Sequence, residues 1–341
     1  GFSKEGQMGR SKAALVILII GLVILILAPI WKWGLAPSLV KIPDTIDVTS
    51  VYDGTLTLSV DPTSLSMLPP ELAVKIPLAI TRRDLSQPSK STSSVAVLKE
   101  TAKAIGPGGK TFIDTTMYYA LDRKTSLNVA DHGADANRTG LYPLLPIGAK
   151  KQTYKFWSDD VGRTGDTKFV KTTKVSGLTT PPTECFVYEA GGPAVPTINP
   201  PLGLPKTISG VQIKSLASGI PGLDPASLAA ISDTAKYPIT YTKQTAVTLI
   251  GEPRTGSIVA VPSNTDTYYV DASALGLGQI KLASIHYAQT AENIAKVMDE
   301  TAENFGLLNM VGLYIPLLLL ILGVVLTAIG GIWFARKKPA A

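Results

Sequence analysis

A single cysteine, Cys185, occurs in 341 residues, which excludes an intrachain disulfide and any multi-cysteine metal site. Only two histidines, His132 and His286, are present, too few to frame a histidine-based zinc centre. Charge is scarce as well. Charged residues make up 17%, against about a quarter in ordinary soluble domains. With 45% hydrophobic residues, this shortage excludes a disordered chain and argues against a plain soluble one. No βαβ alternation, internal repeat or Gly-x-Ser-x-Gly elbow is visible.

Long uncharged runs stand in place of the missing charge. Residues 13–31 and residues 310–335 carry no Asp, Glu, Lys or Arg. A hydrocarbon core about 30 Å thick takes about 20 apolar residues in a helix. In lipid every backbone polar group must be satisfied within the segment, so both runs read as transmembrane helices. Trp31, Trp33, Tyr314 and Trp333 fall where ring side chains anchor spans at the interface. Gly21, Gly323, Gly330 and Gly331 would allow close helix packing, although no GxxxG occurs. The first run reads as an uncleaved signal anchor, because no Ala-x-Ala site follows it.

Basic residues set the expected orientation. Lys4, Arg10 and Lys12 precede the first span, and Arg336, Lys337 and Lys338 follow the second. Both tails, 1–12 and 336–341, are therefore expected to be cytoplasmic, in a plasma membrane, with residues 32–309 outside. Between the spans the basic and acidic residues balance. The pI of about 9.1 is thus a topology signal, and a nucleic-acid partner is not expected.

The intervening segment reads as a mainly β (α+β) extracytoplasmic domain, an antiparallel sheet or barrel-like, flanked by the N- and C-terminal transmembrane helices. Short runs of alternating apolar residues are punctuated by Gly, Pro, Asn and Asp. Asp53-Gly54, between Ile46–Val51 and Leu56–Val60, reads as a hairpin turn. Residues 207–213 read as a strand. Asp224-Pro225 reads as the start of a helix. Residues 288–309 form an amphipathic helix with Ile294, Val297, Met298, Thr301, Phe305 and Leu308 on one face, leading to the membrane.

Candidate chemistry is thin. Residues 104–111 (AIGPGGKT) follow a relaxed P-loop spacing, but the residues after them alternate like a strand, which favours a glycine-rich turn. The acidic loops at Asp131–Asn137 and Asp159–Asp166 lack the acidic ligand pattern of a calcium loop and read as solvated turns. His286 and Cys185 lie in β runs and read as packed residues. No reaction class has three supporting residues, so the expectation is no enzyme, no cofactor and no metal. What recurs is aromatic β surface. Tyr119, Tyr154, Phe156, Trp157, Phe186 and Tyr188 are candidates to line an apolar cavity or to fill the core.

Three motifs carry a resemblance: Leu121-Asp122-Arg123-Lys124-Thr125, Lys150-Lys151-Gln152-Thr153-Tyr154-Lys155-Phe156-Trp157, and Val175-Ser176-Gly177-Leu178 leading to Phe186-Val187-Tyr188. In these the chain resembles the porin PorA family of actinobacterial envelope proteins. The plan of one span at each end and a long exterior domain is also similar to the class B scavenger receptors, and that resemblance implies a lipid-holding tunnel. Together these suggest a double-anchored envelope protein that binds or transfers lipid or another envelope hydrophobe. The expected partners are the bilayer, an envelope lipid, and a homo-oligomer or envelope protein complex. The alternatives are a self-assembling scaffold and an oligomeric pore. A transmembrane β-barrel would need strands of about 10 residues, each with a lipid-facing apolar band, and several runs here are short and charged on both faces.

Overall fold

Apolar side chains on every face, with no breaker strong enough to interrupt them, dictate the terminal helices. The computed structural model describes residues 4–61, 66–198, 204–218 and 225–335. The basic residues 336–338 and the expected helix-start residue Asp224 lie outside the described residues. The chain divides into a helical unit, residues 1–41 with 303–341, and a β unit, residues 42–302.

In the helical unit, α1 (Lys4–Ile30) passes through a π turn, Trp31–Leu35, into the short α2 (Ala36–Leu39). On the return side, a second π turn, Met310–Tyr314, leads into α6 (Ile315–Ala335). Only 17% of the most apolar stretch of either helix is buried, so these are not core helices of a globular fold; both are long and apolar enough to cross a membrane. They pack through glycine. A Cβ on Gly21 would lie 2.5 Å from the Thr327 backbone nitrogen, one on Gly323 2.9 Å from that of Leu25, and one on Gly330 2.5 Å from that of Leu18. Three of the four expected glycines therefore serve close approach, while Gly331 faces open space. Trp31 donates its indole N–H to the Val311 carbonyl (3.0 Å), which ties the two π turns together.

Among the described residues the β unit has thirteen strands. These are β1 (Asp47–Leu58), β2 (Val74–Ser86), β3 (Val95–Ile105), β4 (Thr111–Asp122), β5 (Tyr154–Ser158), β6 (Arg163–Val175), β7 (Thr183–Gly191), β8 (Val195–Pro196), β9 (Thr207–Ser209), β10 (Lys236–Pro238), β11 (Thr240–Gly251), β12 (Ile258–Asp271) and β13 (Gln279–Gln289). One eleven-stranded antiparallel sheet runs in the order β4-β3-β2-β1-β13-β12-β11-β7-β6-β5, with β8 added beside β11; β9 and β10 pair separately. The first and last long strands are thus neighbours at its centre.

The sheet curls into a half-barrel, and the segment between β4 and β5 seams its two edges. Val129 donates to the Ala120 carbonyl, Asn128 to Gly140, Leu141 to Lys155, and Trp157 back to Leu141. Two inserts fill the interior. Residues 142–149 fold inward, placing Leu145 and Ala149 against Phe156, Phe186 and Tyr188. Gly251 and Gly256 make room for them: a Cβ on either would meet Leu145 within 2.4 Å, and Gly256 has φ +77°. Further along the strands, α3 (Gly210–Ala217) buries Ile213, Leu216 and Ala217 among Leu56, Leu78, Val270, Ile280 and Leu282. A capping box between Ser209 and Gln212 starts this helix.

Three local expectations are corrected. Asp53-Gly54 is not a turn: β1 runs straight through it, because pairing with β2 on one side and β13 on the other outweighs a two-residue turn preference. Gly54 instead provides close approach, since a Cβ there would lie 2.9 Å from Ile80 Cδ1. Residues 207–213 are strand only to Ser209, where the capping box turns the chain into α3. The helix expected after Asp224 is only five residues, α4 (Pro225–Ala229). The amphipathic helix does form, as α5 (Ala291–Asn309), with Val297, Met298 and Thr301 buried as its pattern requires. Asn293 is buried beside them and hydrogen-bonded at both its amide oxygen and its amide nitrogen. Its side chain accepts from Val51 N (2.9 Å) and Gln289 Nε2 (2.7 Å) and donates to the Thr49 carbonyl (2.9 Å).

Candidate functional site

The three sequence motifs converge on the seam of the half-barrel and on the helix that leaves it. In the first motif, the Asp122 carboxylate accepts from the backbone N–H of Lys124 (3.0 Å) and Thr125 (2.8 Å) and from the Thr125 hydroxyl (2.8 Å), fixing a tight turn at the end of β4. Arg123 is 2% exposed; it donates to the Thr92 and Ile42 carbonyls and pairs with Asp44 at 2.8 Å. It pins the beginning of the β unit to the wall.

The second motif builds an aromatic cluster. Lys150 joins two tyrosines through its backbone, its N–H donating to the Tyr154 hydroxyl (2.7 Å) and its carbonyl accepting from the Tyr188 hydroxyl (2.8 Å). The Tyr154 and Tyr188 rings lie 5.8 Å apart, and Phe169 stands edge-on to Phe186 at 5.7 Å. Lys151 Nζ sits 5.2 Å over the Phe186 ring. Tyr154, Phe156, Phe186 and Tyr188 are therefore brought together. Tyr119 stands apart with Tyr142 (5.1 Å), and Trp157 points its indole N–H at Asp159 (3.2 Å). Tyr188 and Tyr119 are fully buried, and Phe156 and Phe186 nearly so, so most of these rings act as packed core. Tyr154 and Trp157 are only half-buried. Tyr154 helps line an open cleft of about 490 Å³ along the seam, with Leu127, Leu141 and Pro146 as its apolar floor and Lys124 and Lys155 among its lining residues. Lys155 pairs with Asp166 at 2.6 Å.

The third motif is an anion grip. The Asp299 carboxylate of α5 receives backbone N–H groups from Leu178 (2.9 Å), Thr179 and Thr180 (2.8 Å). Gly177 is required, since a Cβ there would overlap the carboxylate. Hydrogen bonds from Thr180 and Thr179 hold Asp299 at about 2, well below the usual carboxylate range.

Sequence reasoning missed a belt of ionisable side chains around the interior, between the two inserts. On β2 and β3, Arg82 Nη2 pairs with Asp84 (2.9 Å), and Arg82 Nε lies 2.8 Å from Glu100. Tyr142 donates its hydroxyl to Glu100 (2.9 Å) and lies under the Arg82 guanidinium. Tyr52 and Tyr287, in edge contact at 5.3 Å, continue the belt across β1 and β13. On β11 and β12, Lys243 Nζ meets Asp160 (2.5 Å) and Asp266 (3.1 Å). Arg138 then joins Asp135 and Asp159, both at 2.6 Å, and Asp159 accepts from the Tyr119 hydroxyl (2.9 Å). Burial works against the Lys243 charge, but Asp266 and Asp160 more than offset it and raise its pKa. Burial pushes Glu100 up to about 7 while Arg82 pulls the other way. Only the inward register of alternate strand positions reveals these residues as a set. Asp159 and Asp160, read in the sequence as a solvated acidic loop, are ion-pair partners, and no cluster able to hold a metal occurs among the described residues.

A seamed β half-barrel, with an apolar helix long enough to cross a membrane before it and another after it in sequence, defines the class: a β-domain protein of the membrane type. A family model described as Porin PorA matches residues 13–332. The chain belongs to the Porin PorA family. No curated protein matches it. Among solved structures, a protein described as a MaoC domain dehydratase from Chloroflexus aurantiacus is 10% identical and covers 75% of this chain and 80% of its own. Its TM-score of 0.13 supports no structural argument.

Proposed function

We propose that the protein is anchored in the plasma membrane at both ends, with cytoplasmic termini, and that its β unit binds an envelope lipid at the seam cleft and passes it on. The observation that carries this reading is the cleft itself. Its floor is apolar, it opens at Tyr154, an expected ring residue that is only half-buried, and an aromatic cluster backs it. Such a surface suits an acyl chain better than a polar metabolite. Native mass spectrometry of the full chain, released from detergent micelles, tests this. The expected result is a co-purifying lipid that is lost in a Leu127→Asp/Tyr154→Ala variant. A wild-type chain that is reproducibly empty, or a variant that retains the lipid, refutes the reading.

The family match favours a second reading, a pore. The interior inserts leave the half-barrel filled, so conduction would have to come from assembly of several chains. Planar-bilayer recordings that show no conductance at any protein concentration would remove this alternative.

A further inference from the structure

Glu100 is a carboxylate that both the barrel wall and an interior insert hold. It lies on β3 and is 2% exposed. Arg82 of β2 approaches one of its oxygens at 2.8 Å, and Tyr142, the first residue of the 142–149 insert, donates its hydroxyl to that same oxygen at 2.9 Å. The rest of the insert is held by few polar contacts: the Tyr142 carbonyl accepts from Asn128 Nδ2 (3.1 Å), Leu145 N donates to Gly256 (2.9 Å), and Ala149 N donates to Pro253 (2.8 Å). The groups facing Glu100 are Arg82 and Asp84 from β2, Tyr119 from β4, Tyr142 from the insert and Asp159 after β5. Tyr52 of β1 senses the same charge, and Arg138 sits over Tyr119. Arg82, the cation that touches Glu100, is shared with Asp84, so an ionised Glu100 is one of two carboxylates competing for it. The Asp84 Oδ1 atom has no hydrogen-bond partner, and the Arg82 Nε–H is not aligned to make one.

We propose that Glu100 is a proton-operated latch on the 142–149 insert: protonated, it keeps the insert seated inside the half-barrel, and ionised, it drives the insert to open toward water. A buried carboxylate flanked by a second carboxylate resists ionisation, and the cheapest way to hydrate it is to lift the loop wall that hydrogen-bonds it directly, which is the insert. The raised position of Glu100, about 7 against an ordinary 4.5, places the switch at neutral pH. The sign follows from linkage. The closed form binds the proton more tightly than the open form, so closure is favoured in full below about 4.5, weakens as pH rises from there through about 7, and levels off above it. Between pH 6 and pH 8 the opening equilibrium is expected to rise roughly tenfold.

Hydrogen exchange read by mass spectrometry on the full chain in detergent, corrected for base catalysis, tests the latch. The expected result is about tenfold faster exchange of residues 144–149 at pH 8 than at pH 6, and none of that change in Glu100→Gln, which stays closed at both. Tyr142→Phe keeps the ring but removes a hydrogen bond to the charged form. It is expected to move the midpoint upward, and it supplies an independent handle if Glu100→Gln folds poorly. A His132→Gln/His286→Gln chain is expected to keep the slope. Equal protection at both pH values, a slope that survives Glu100→Gln, or a slope abolished by the histidine replacements would overturn the proposal.

Discussion

Replacing Lys243 with Met should be among the most damaging single changes in the β unit. Lys243 is 8% exposed at its side chain, and its two partners differ sharply: Asp266 is 13% exposed and Asp160 is 52% exposed. Without the ammonium, Asp160 rehydrates at little cost. Asp266 cannot, and among the described residues it keeps the Thr245 hydroxyl at 2.7 Å as its side-chain donor. Stranding one member of a buried ion pair costs about 3–5 kcal/mol. In a domain of this size each kcal/mol moves the midpoint by about 2–4 °C, so Lys243→Met is expected to lower Tm by roughly 10 °C. Asp266→Asn relieves the stranded charge, so the Lys243→Met/Asp266→Asn chain should melt above Lys243→Met alone. Cys185 offers the readout. Its side chain is fully buried in β7, and burial pushes its thiol up to about 12, so a maleimide reports unfolding when followed against temperature. A Lys243→Met chain that melts within about 2 °C of wild type, or a double variant no better than the single, would refute the account of the belt as buried charge.

Other outcomes follow from the same geometry. Cys185 in the folded chain is expected to resist maleimide for hours at pH 7.5 and to react within minutes once unfolded; rapid labelling of native protein would contradict its placement. Gly21→Leu forces side-chain atoms into the Thr327 backbone, so it should separate the two helices at a cost of about 1–3 kcal/mol, while Gly331→Leu, at an open position, should not. Cysteine cross-linking between α1 and α6 distinguishes the two. Asp299→Asn should speed amide exchange at residues 178–180. Because the Asp299 carboxylate is depressed to about 2, its grip is complete above its ordinary 3.8 and is lost only as pH falls through about 2. Protection of residues 178–180 in the wild type is therefore expected to stay flat from pH 8 to pH 5, in contrast to the 142–149 insert.

The helices at the two ends were legible because hydropathy is a property of the local chain: uncharged runs longer than a bilayer is thick have little choice of conformation. The strand content was legible for a similar reason, since alternation repeats every two residues whatever pairs with it. Local signals failed where long-range pairing competed with them, as at Asp53-Gly54, which looks like a turn and lies mid-strand. They also failed where a cap redirected the chain, as at Ser209. The motif residues were visible, but their tasks were not. Lys150 serves through its backbone, Gly177 by lacking a side chain, and Asp299 meets its loop across about 120 positions of sequence. The inner belt was decided by tertiary structure alone. Arg82, Glu100, Lys243 and Asp266 look like ordinary strand charges in the sequence. Their burial depends on which face of a curled sheet turns inward, and only the closing of that sheet removes the water that would otherwise have kept them independent.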